Sequence, residues 1–149
     1  MEYARIGWIK IDLDVRLPDS RLKLNSNLLA NLQKANNEGN SIKAAINEYR
    51  GVTYVWEVVK NMEKAMSLPG GIYNFGSGNT LNSYDLHLIA AELMELKKPA
   101  EWILRDEERF SDEPRNLTMD CSLIKGHGIT FYDSIEGIEN AIKMPFRTE

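Results

Sequence analysis

Glu113-Pro114-Arg115-Asn116-Leu117-Thr118-Met119-Asp120-Cys121-Ser122 carries more structural instruction than any other run in this chain. Pro114 fixes its own backbone and pushes Glu113 towards extended geometry. The run therefore enters its surroundings extended and presents the Arg115 cation. It then alternates to a buriable Met119 and turns into a short helix started by Asp120, a residue type suited to that place.

Working outward, α/β alternation emerges. Ala4 to Ile11 mixes β-branched and aromatic residues and reads as a strand. Asp12 to Asn25 carries Pro18 and alternating charges, and reads as a loop or flap. Ser26 is placed to cap a helix with Leu28, Leu29 and Leu32 on one face, fraying by Asn36 to Gly39. Ser41 to Ile46 reads as a short strand. Val55, Val58, Val59, Met62 and Met66 fall at i, i+3, i+4, i+7 and i+11, one apolar stripe of a second helix. Leu68-Pro69-Gly70-Gly71 ends it, with a glycine supplying a left-handed residue. Ile72 to Phe75 reads as a strand and Gly76-Ser77-Gly78 as a turn. Asn82 or Ser83 then caps a third helix, with Asp85 in capping-box position and Leu86, Ile89, Ala90, Leu93 and Met94 as its buried face. Trp102 to Leu104 reads as a strand. Asp133 to Glu136 has capping-box spacing ahead of a last helix bearing Ile135, Ile138 and Ile142. Three or four strands are fewer than an average sheet holds, so the sheet within this chain is expected to be partial.

The bulk numbers narrow the function classes. A chain of 149 residues reads as a single domain, residues 1–149, and can bury a real core. Its net charge of −4 argues against a general nucleic-acid or anionic-membrane binder, while leaving room for a local basic pocket. No apolar run approaches the ~20 residues needed to span a bilayer, and the N-terminus lacks a signal-peptide pattern. One cysteine, Cys121, cannot form an intrachain disulfide, so a reducing cytoplasm is the expected home.

Few residues have the spacing that catalysis needs. His87 sits mid-helix and reads as a surface or satisfied core histidine. His127 lies between two glycines past a short helix, where it can meet terminal carbonyls. No His, Cys, Asp and Glu group has metal-ligand spacing. Gly76-Ser77-Gly78-Asn79-Thr80 stands in the βα context of an anion-binding turn. Leu81 replaces the third glycine of a dinucleotide fingerprint, however, and a plain βα turn is the better reading. Arg50 and Arg115 lie on separate segments. They read either as solvated or ion-paired cations or as two forks able to clamp a diphosphate. Trp8, central in its strand, reads as core before it reads as a stacking platform.

Several segments resemble the extended short-chain dehydrogenase/reductases, in order and across nearly the whole chain. Residues 113–122 are similar to that family's "RPxNxxLDxSKL". Arg5-Ile6-Gly7-Trp8 is similar to "RTSWVY", and Asn27-Leu28-Leu29 to the "NF" that starts the next helix. Asn47 to Val59 resembles "NDQYRTPTYVEDLA". Gly71 to Gly78, with Ser83-Tyr84-Asp85, resembles "GIYNVGSG…SxYELA". The nearest branch is the dTDP-4-dehydrorhamnose reductase type, an oxidoreductase of dTDP-rhamnose biosynthesis that acts on nucleotide sugars. The resemblance implies the C-terminal substrate-binding lobe plus the last strands of a Rossmann-like fold, with flanking helices and without the N-terminal dinucleotide-binding half. Trp8 would face the deoxysugar, Arg50 and Arg115 would lie near the pyrophosphate, and Thr53, Tyr54 and Asn116 would line the same cleft. The implied ligand is a nucleotide-diphosphate sugar, and NAD(P)H is implied for the complete enzyme.

The departures are as informative. The chain has no G-x-x-G-x-x-G loop to hold a dinucleotide, and none of its tyrosines is followed four residues later by lysine. It begins where the family's catalytic helix has already ended. Glu113 stands where arginine is usual, Val52 replaces a proline, and Leu123 stands in place of lysine. The expectation is a substrate-binding portion that binds no cofactor and catalyses nothing alone, with either a cofactor-domain chain or a homo-oligomer as its partner. The alternative is a non-catalytic interaction module that oligomerises. A regulatory subunit of methionine adenosyltransferase shares the same segment as "RPRNxxLDCSKL".

Overall fold

The computed structural model describes residues 27–143. The strand read at Ala4 to Ile11, with Trp8 in it, and the loop Asp12 to Asn25 lie outside the described residues.

Helix α1 (Leu28–Glu38) begins at Asn27, whose side chain accepts from the Ala30 N–H at 2.8 Å. Asn27 therefore takes the capping place expected of Ser26. The helix persists through Asn36 and Asn37 because Gly39, at φ 67°, closes it with its N–H on the Ala35 carbonyl. Strands β1 (Ile42–Ala45) and β2 (Glu48–Arg50) follow, then α2 (Val55–Met66), α3 (Ser83–Leu93), α4 (Pro99–Trp102), β3 (Ile103–Asp106), β4 (Arg115–Leu117), α5 (Ser122–Gly126) and α6 (Ser134–Lys143). Asn82 caps α3, accepting from the Asp85 N–H and donating to the Asp85 carboxylate, both at 2.8 Å.

The strands form two parallel pairs. Ile42 to Ala45 run beside Ile103 to Asp106, and Glu48 to Arg50 beside Arg115 to Leu117. Parallel pairs need a crossover connection, here supplied by the long path through α2, α3 and α4. One core lies where α1, α3 and α6 cover β1 and β3, built on Leu32, Ala44, Leu86, Ala90, Ala91, Ile103 and Ile138. A second core joins α2 and α5 through Val58, Phe75, Ile124 and Ile129.

Several sequence expectations are corrected. Residues 72–75 form no strand; Phe75 is anchored by packing, its ring edge-on to Phe131 with centroids 4.8 Å apart. Trp102 closes α4 and the strand begins at Ile103. The α2 stripe is only partly buried: Val58 is covered, whereas Val59 and Met66 are exposed, with Trp56 beside them. The inward places near its start are taken by Glu57 and Asn61. Ser67 ends α2 without a left-handed glycine; the described glycines with positive φ are Gly39 and Gly128.

This partition yields a direct contrast. Ile103→Ala, at a fully covered position, should cost about 2–5 kcal/mol in chemical denaturation. Met66→Ala, on the open side of α2, should stay within about 0.5 kcal/mol of the parent.

Candidate functional site

Two loops, residues 51–54 directly after β2 and residues 76–79 ahead of α3, meet at one place. Their backbone groups are satisfied by side chains rather than by a ladder. The Ser77 N–H donates to Thr53 Oγ1 at 2.9 Å, and the Val52 N–H to Ser134 Oγ at 2.8 Å. Ser134 in turn donates to the Gly78 carbonyl from its hydroxyl at 3.2 Å and its N–H at 3.1 Å. Asn79 Nδ2 donates to the Arg50 carbonyl at 2.9 Å. Thr53, expected in the binding cleft, thus spends its hydroxyl on the turn. Tyr54 lies against Gly137 of α6. The Tyr54 and Ser77 hydroxyls are screened from solvent and have no hydrogen-bond partner among the described residues.

The glycine turn is closed by packing. A Cβ on Gly76 would sit 2.6 Å from Met119 Cε and 2.8 Å from Thr53 Oγ1, and one on Gly51 would overlap the Ser77 carbonyl. Small residues are needed at positions 51 and 76 so that the loops can touch, whereas Gly78 has open space around it. Leu81 stands where a dinucleotide turn needs its third glycine, so the described residues do not fit a dinucleotide here.

Arg50 and Arg115 come together through β2 and β4. In the register Glu48 faces Arg115 and Arg50 faces Leu117, and the period of two puts all four on one sheet face. Arg50 and Leu117 are exposed, so the face is open at that end. At the other end Arg115 Nη1 lies 3.6 Å from Glu48 Oε1, with the Glu48 side chain 9 % exposed and that of Arg115 47 %. Asn116 is turned to local work: its Oδ1 accepts from Thr118 N at 3.0 Å and Thr118 Oγ1 at 2.7 Å. Of the expected site residues, Arg50 and Arg115 share one surface, while Thr53, Tyr54 and Asn116 hold the frame beside it.

His87 projects from α3 towards this strand pair. Its Nδ1 is 2.6 Å from the Ser83 carbonyl, which can only accept, so Nδ1 carries the proton. Burial holds its pKa below the usual value, with the Ser83 bond and Glu48 raising it and Arg50 lowering it. Burial raises the Cys121 thiol, which donates to the Gly76 carbonyl at 3.2 Å, and burial also raises the Tyr54 phenol, helped by Tyr132. Both stay protonated at neutral pH. Asp120 is held below its usual value by its hydrogen bonds with Ser122; it precedes α5 by two residues and orders that turn. His127 caps the end of α5, its ring edge-on to Tyr73 with centroids 5.7 Å apart.

Sequence reasoning passed over Glu48, Glu57 and Asn61. Glu57 is buried on α2 and takes the Tyr132 N–H on both oxygens, at 2.9 and 3.1 Å. One helical turn on, Asn61 donates to the Thr130 carbonyl at 2.9 Å. Together they grip residues 130–132 as a neighbouring strand would. Their i, i+4 spacing was visible, but polar pairs of that kind usually face water. Among the surface hollows is one of about 510 Å³ lined by Glu63, Lys64 and His127 and one of about 260 Å³ at the glycine turn itself, lined by Gly76, Gly78, Met119 and Lys125; neither includes Arg50 or Arg115. Among the described residues no group of three His, Cys, Asp or Glu could hold a metal ion, and no helix is long and apolar enough to cross a membrane.

Two measurements test this geometry. Alanine substitution should destabilise in the order Gly51, Gly76, Gly78: a backbone carbonyl cannot yield, a methionine tip partly can, and Gly78 has open space. For Glu57 burial raises the pKa, with the Tyr132 bond opposing and Glu136 adding to the rise. Its protonated form is thus favoured in the fold, so its contribution is complete below the ordinary glutamate pKa and declines as pH rises through the raised one. Glu57→Gln should flatten that decline in denaturation curves from pH 4 upward. An unchanged slope would count against it.

No protein-family model matches the sequence, and no curated protein matches it. Solved structures do. The dTDP-4-dehydrorhamnose reductase of Bacillus anthracis str. Ames, solved in complex with NADP, superposes with a TM-score of 0.69 at 13 % identity over 83 % of this chain. The enzyme WbmH of Bordetella bronchiseptica, in complex with NAD+, gives 0.60 at 20 % identity over 80 %. The UDP-N-acetylglucosamine 4-epimerase of Bacillus cereus gives 0.56 at 16 % over 83 %. The chain spans 45 %, 40 % and 42 % of these proteins respectively, less than half of each. The chain thus shares a partial Rossmann-like fold with these proteins, the fold class that the resemblance at residues 113–122 led us to expect.

Proposed function

We propose that this chain is the sugar-nucleotide-binding portion of an NAD(P)H-dependent reductase of the dTDP-4-dehydrorhamnose type, which reduces a 4-keto deoxysugar when complete. The observation that carries this reading is the β2–β4 pairing, which sets Arg50 and Arg115 on one partly open sheet face. Two guanidinium groups on one face suit a diphosphate, whose oxygens match their forked donors. Support also comes from the partial fold shared with a dTDP-4-dehydrorhamnose reductase and with an epimerase named for a UDP-sugar. Trp8, Thr53, Tyr54 and Asn116 complete the proposed site, Thr53 and Asn116 by shaping its backbone. Hydride transfer belongs to the nicotinamide of the complete enzyme; this chain's share is to bind and orient the nucleotide. With its lone Cys121, the chain suits a reducing cytoplasm.

A second reading, a non-catalytic interaction module, draws on one observation. Trp56, Val59 and Met66 are 53 %, 49 % and 78 % exposed along α2, and such a row favours association. Light scattering during size exclusion separates the two readings: a monomer that binds nucleotide favours the first, and a ligand-free obligate oligomer the second.

The primary test is calorimetric titration of the chain with UDP and dTDP. Binding should appear, weaken as salt rises, and fall roughly tenfold or more in Arg50→Ala and in Arg115→Ala, as loss of a hydrogen bond to a charged group predicts. Absence of heat from a folded sample with either nucleotide would overturn the reading.

A further inference from the structure

Glu48 is buried at 7 % exposure, and its carboxylate faces Arg115 Nη1 at 3.6 Å. A buried carboxylate is costly unless a cation answers it. At that distance the contact is an ion pair rather than a hydrogen bond, so it leaves the guanidinium's donors unspent. A second restraint comes from the loop before β4. The Arg115 guanidinium carbon lies 5.5 Å from the centre of the Phe110 ring, within range of cation–π attraction. Arg109 lies 5.1 Å from the same ring. Phe110 occupies this position at φ 60°, left-handed backbone that a bulky residue adopts only against a penalty. Strain of this kind persists where the surroundings fix a geometry, and here the geometry includes the arginine of the proposed site.

We propose, building on the nucleotide reading of this face, that Glu48 is a positioning residue. With the Phe110 ring it holds the Arg115 guanidinium in one orientation and leaves its donor fork to the diphosphate of a nucleoside diphosphate. Simple charge repulsion makes the opposite prediction. Glu48 is an anion near an anion site, so if Coulomb repulsion were its whole influence, neutralising it would tighten binding. If it positions Arg115, neutralising it weakens binding, because the arginine must then be ordered at the moment of association. Ordering one rotamer-rich side chain corresponds to about a three- to tenfold loss of affinity.

The test compares the full 149-residue chain with Glu48→Gln and Phe110→Asn. UDP and dTDP titrations should be about three- to tenfold weaker in both variants. Phe110→Asn should unfold at the same temperature as the parent or higher, since asparagine tolerates left-handed backbone. Loss of affinity without loss of stability is a result that a merely structural role does not produce. A folded Glu48→Gln that binds as tightly as the parent, or more tightly, overturns the proposal. Should Glu48→Gln not fold, unchanged affinity in Phe110→Asn overturns it instead. A ligand-free measurement keeps this separate from the nucleotide reading itself. The Arg115 Nε–Hε resonance should be distinct and slow to exchange with water in the parent, and averaged in both variants. If the parent binds neither nucleotide, the nucleotide reading fails, and the positioning claim is decided by that resonance: protected in the parent it stands, averaged in the parent it falls.

Discussion

Three hydroxyl-centred contacts hold the two halves of the described chain together. Thr53 Oγ1 takes the Ser77 N–H, Ser134 Oγ takes the Val52 N–H, and Ser134 donates onward to the Gly78 carbonyl. Each spans a large sequence separation, 24, 82 and 56 residues respectively. Buried backbone groups past the end of a strand cannot be left unpaired, and no further strand is paired at this place to receive them. The hydroxyls fill that need, and Gly51 and Gly76 let the loops approach closely enough for the contacts to form. The entries to α2, α3 and α6 are fixed by this one junction. The β2–β4 pair is tied to it through Asn79 and the Arg50 carbonyl.

The same logic explains why Glu57 and Asn61 are buried. The segment 130–132 runs alongside α2 and has backbone groups facing a helix, which offers no free donors or acceptors along its side. Glu57 accepts and Asn61 donates, one turn apart, so the helix presents a surrogate strand edge. A charged group in that place is disfavoured by burial, which is why its pKa is raised. The apolar residues that the sequence pattern assigned to the inside, Val59 and Met66, are displaced to the outside by this arrangement.

Legibility in the sequence followed the range of the interaction. Helices with local signals were readable: the Asn82 and Asp85 capping pair, the Asp133 cap ahead of α6, and the Leu32 and Leu86 core faces all rest on spacing within a few residues. Strands β2 and β4 were not. Each has three residues, too few for periodicity, and each exists because of a partner more than sixty residues away. For the same reason Arg50 and Arg115 could be named as a possible pair, but Glu48 between them could not. Residues 72–75 show the reverse error. Ile72-Tyr73-Asn74-Phe75 has strand composition, yet Ile72 is exposed and Phe75 is held by Phe131, because β-propensity reports fit to a half-buried surface and no strand pairs with them here.

The exposed row on α2 and the thinness of the two sheets have one physical source. Parallel strands are ordinarily covered on both faces and flanked by further strands, and two-stranded pairs gain little by themselves. The described part of this chain compensates by side-chain clamps at the loop junction and at α2, not by a wider sheet. Such clamps fix geometry locally but cover little area. They are therefore compatible with a well-ordered face carrying Arg50 and Arg115 and, at the same time, with Trp56, Val59 and Met66 standing open on the adjoining helix. The proposed binding surface and the proposed association surface are thus separate features of the fold. They lie on different elements, and the proposed ordering of Arg115 by Glu48 requires nothing of α2.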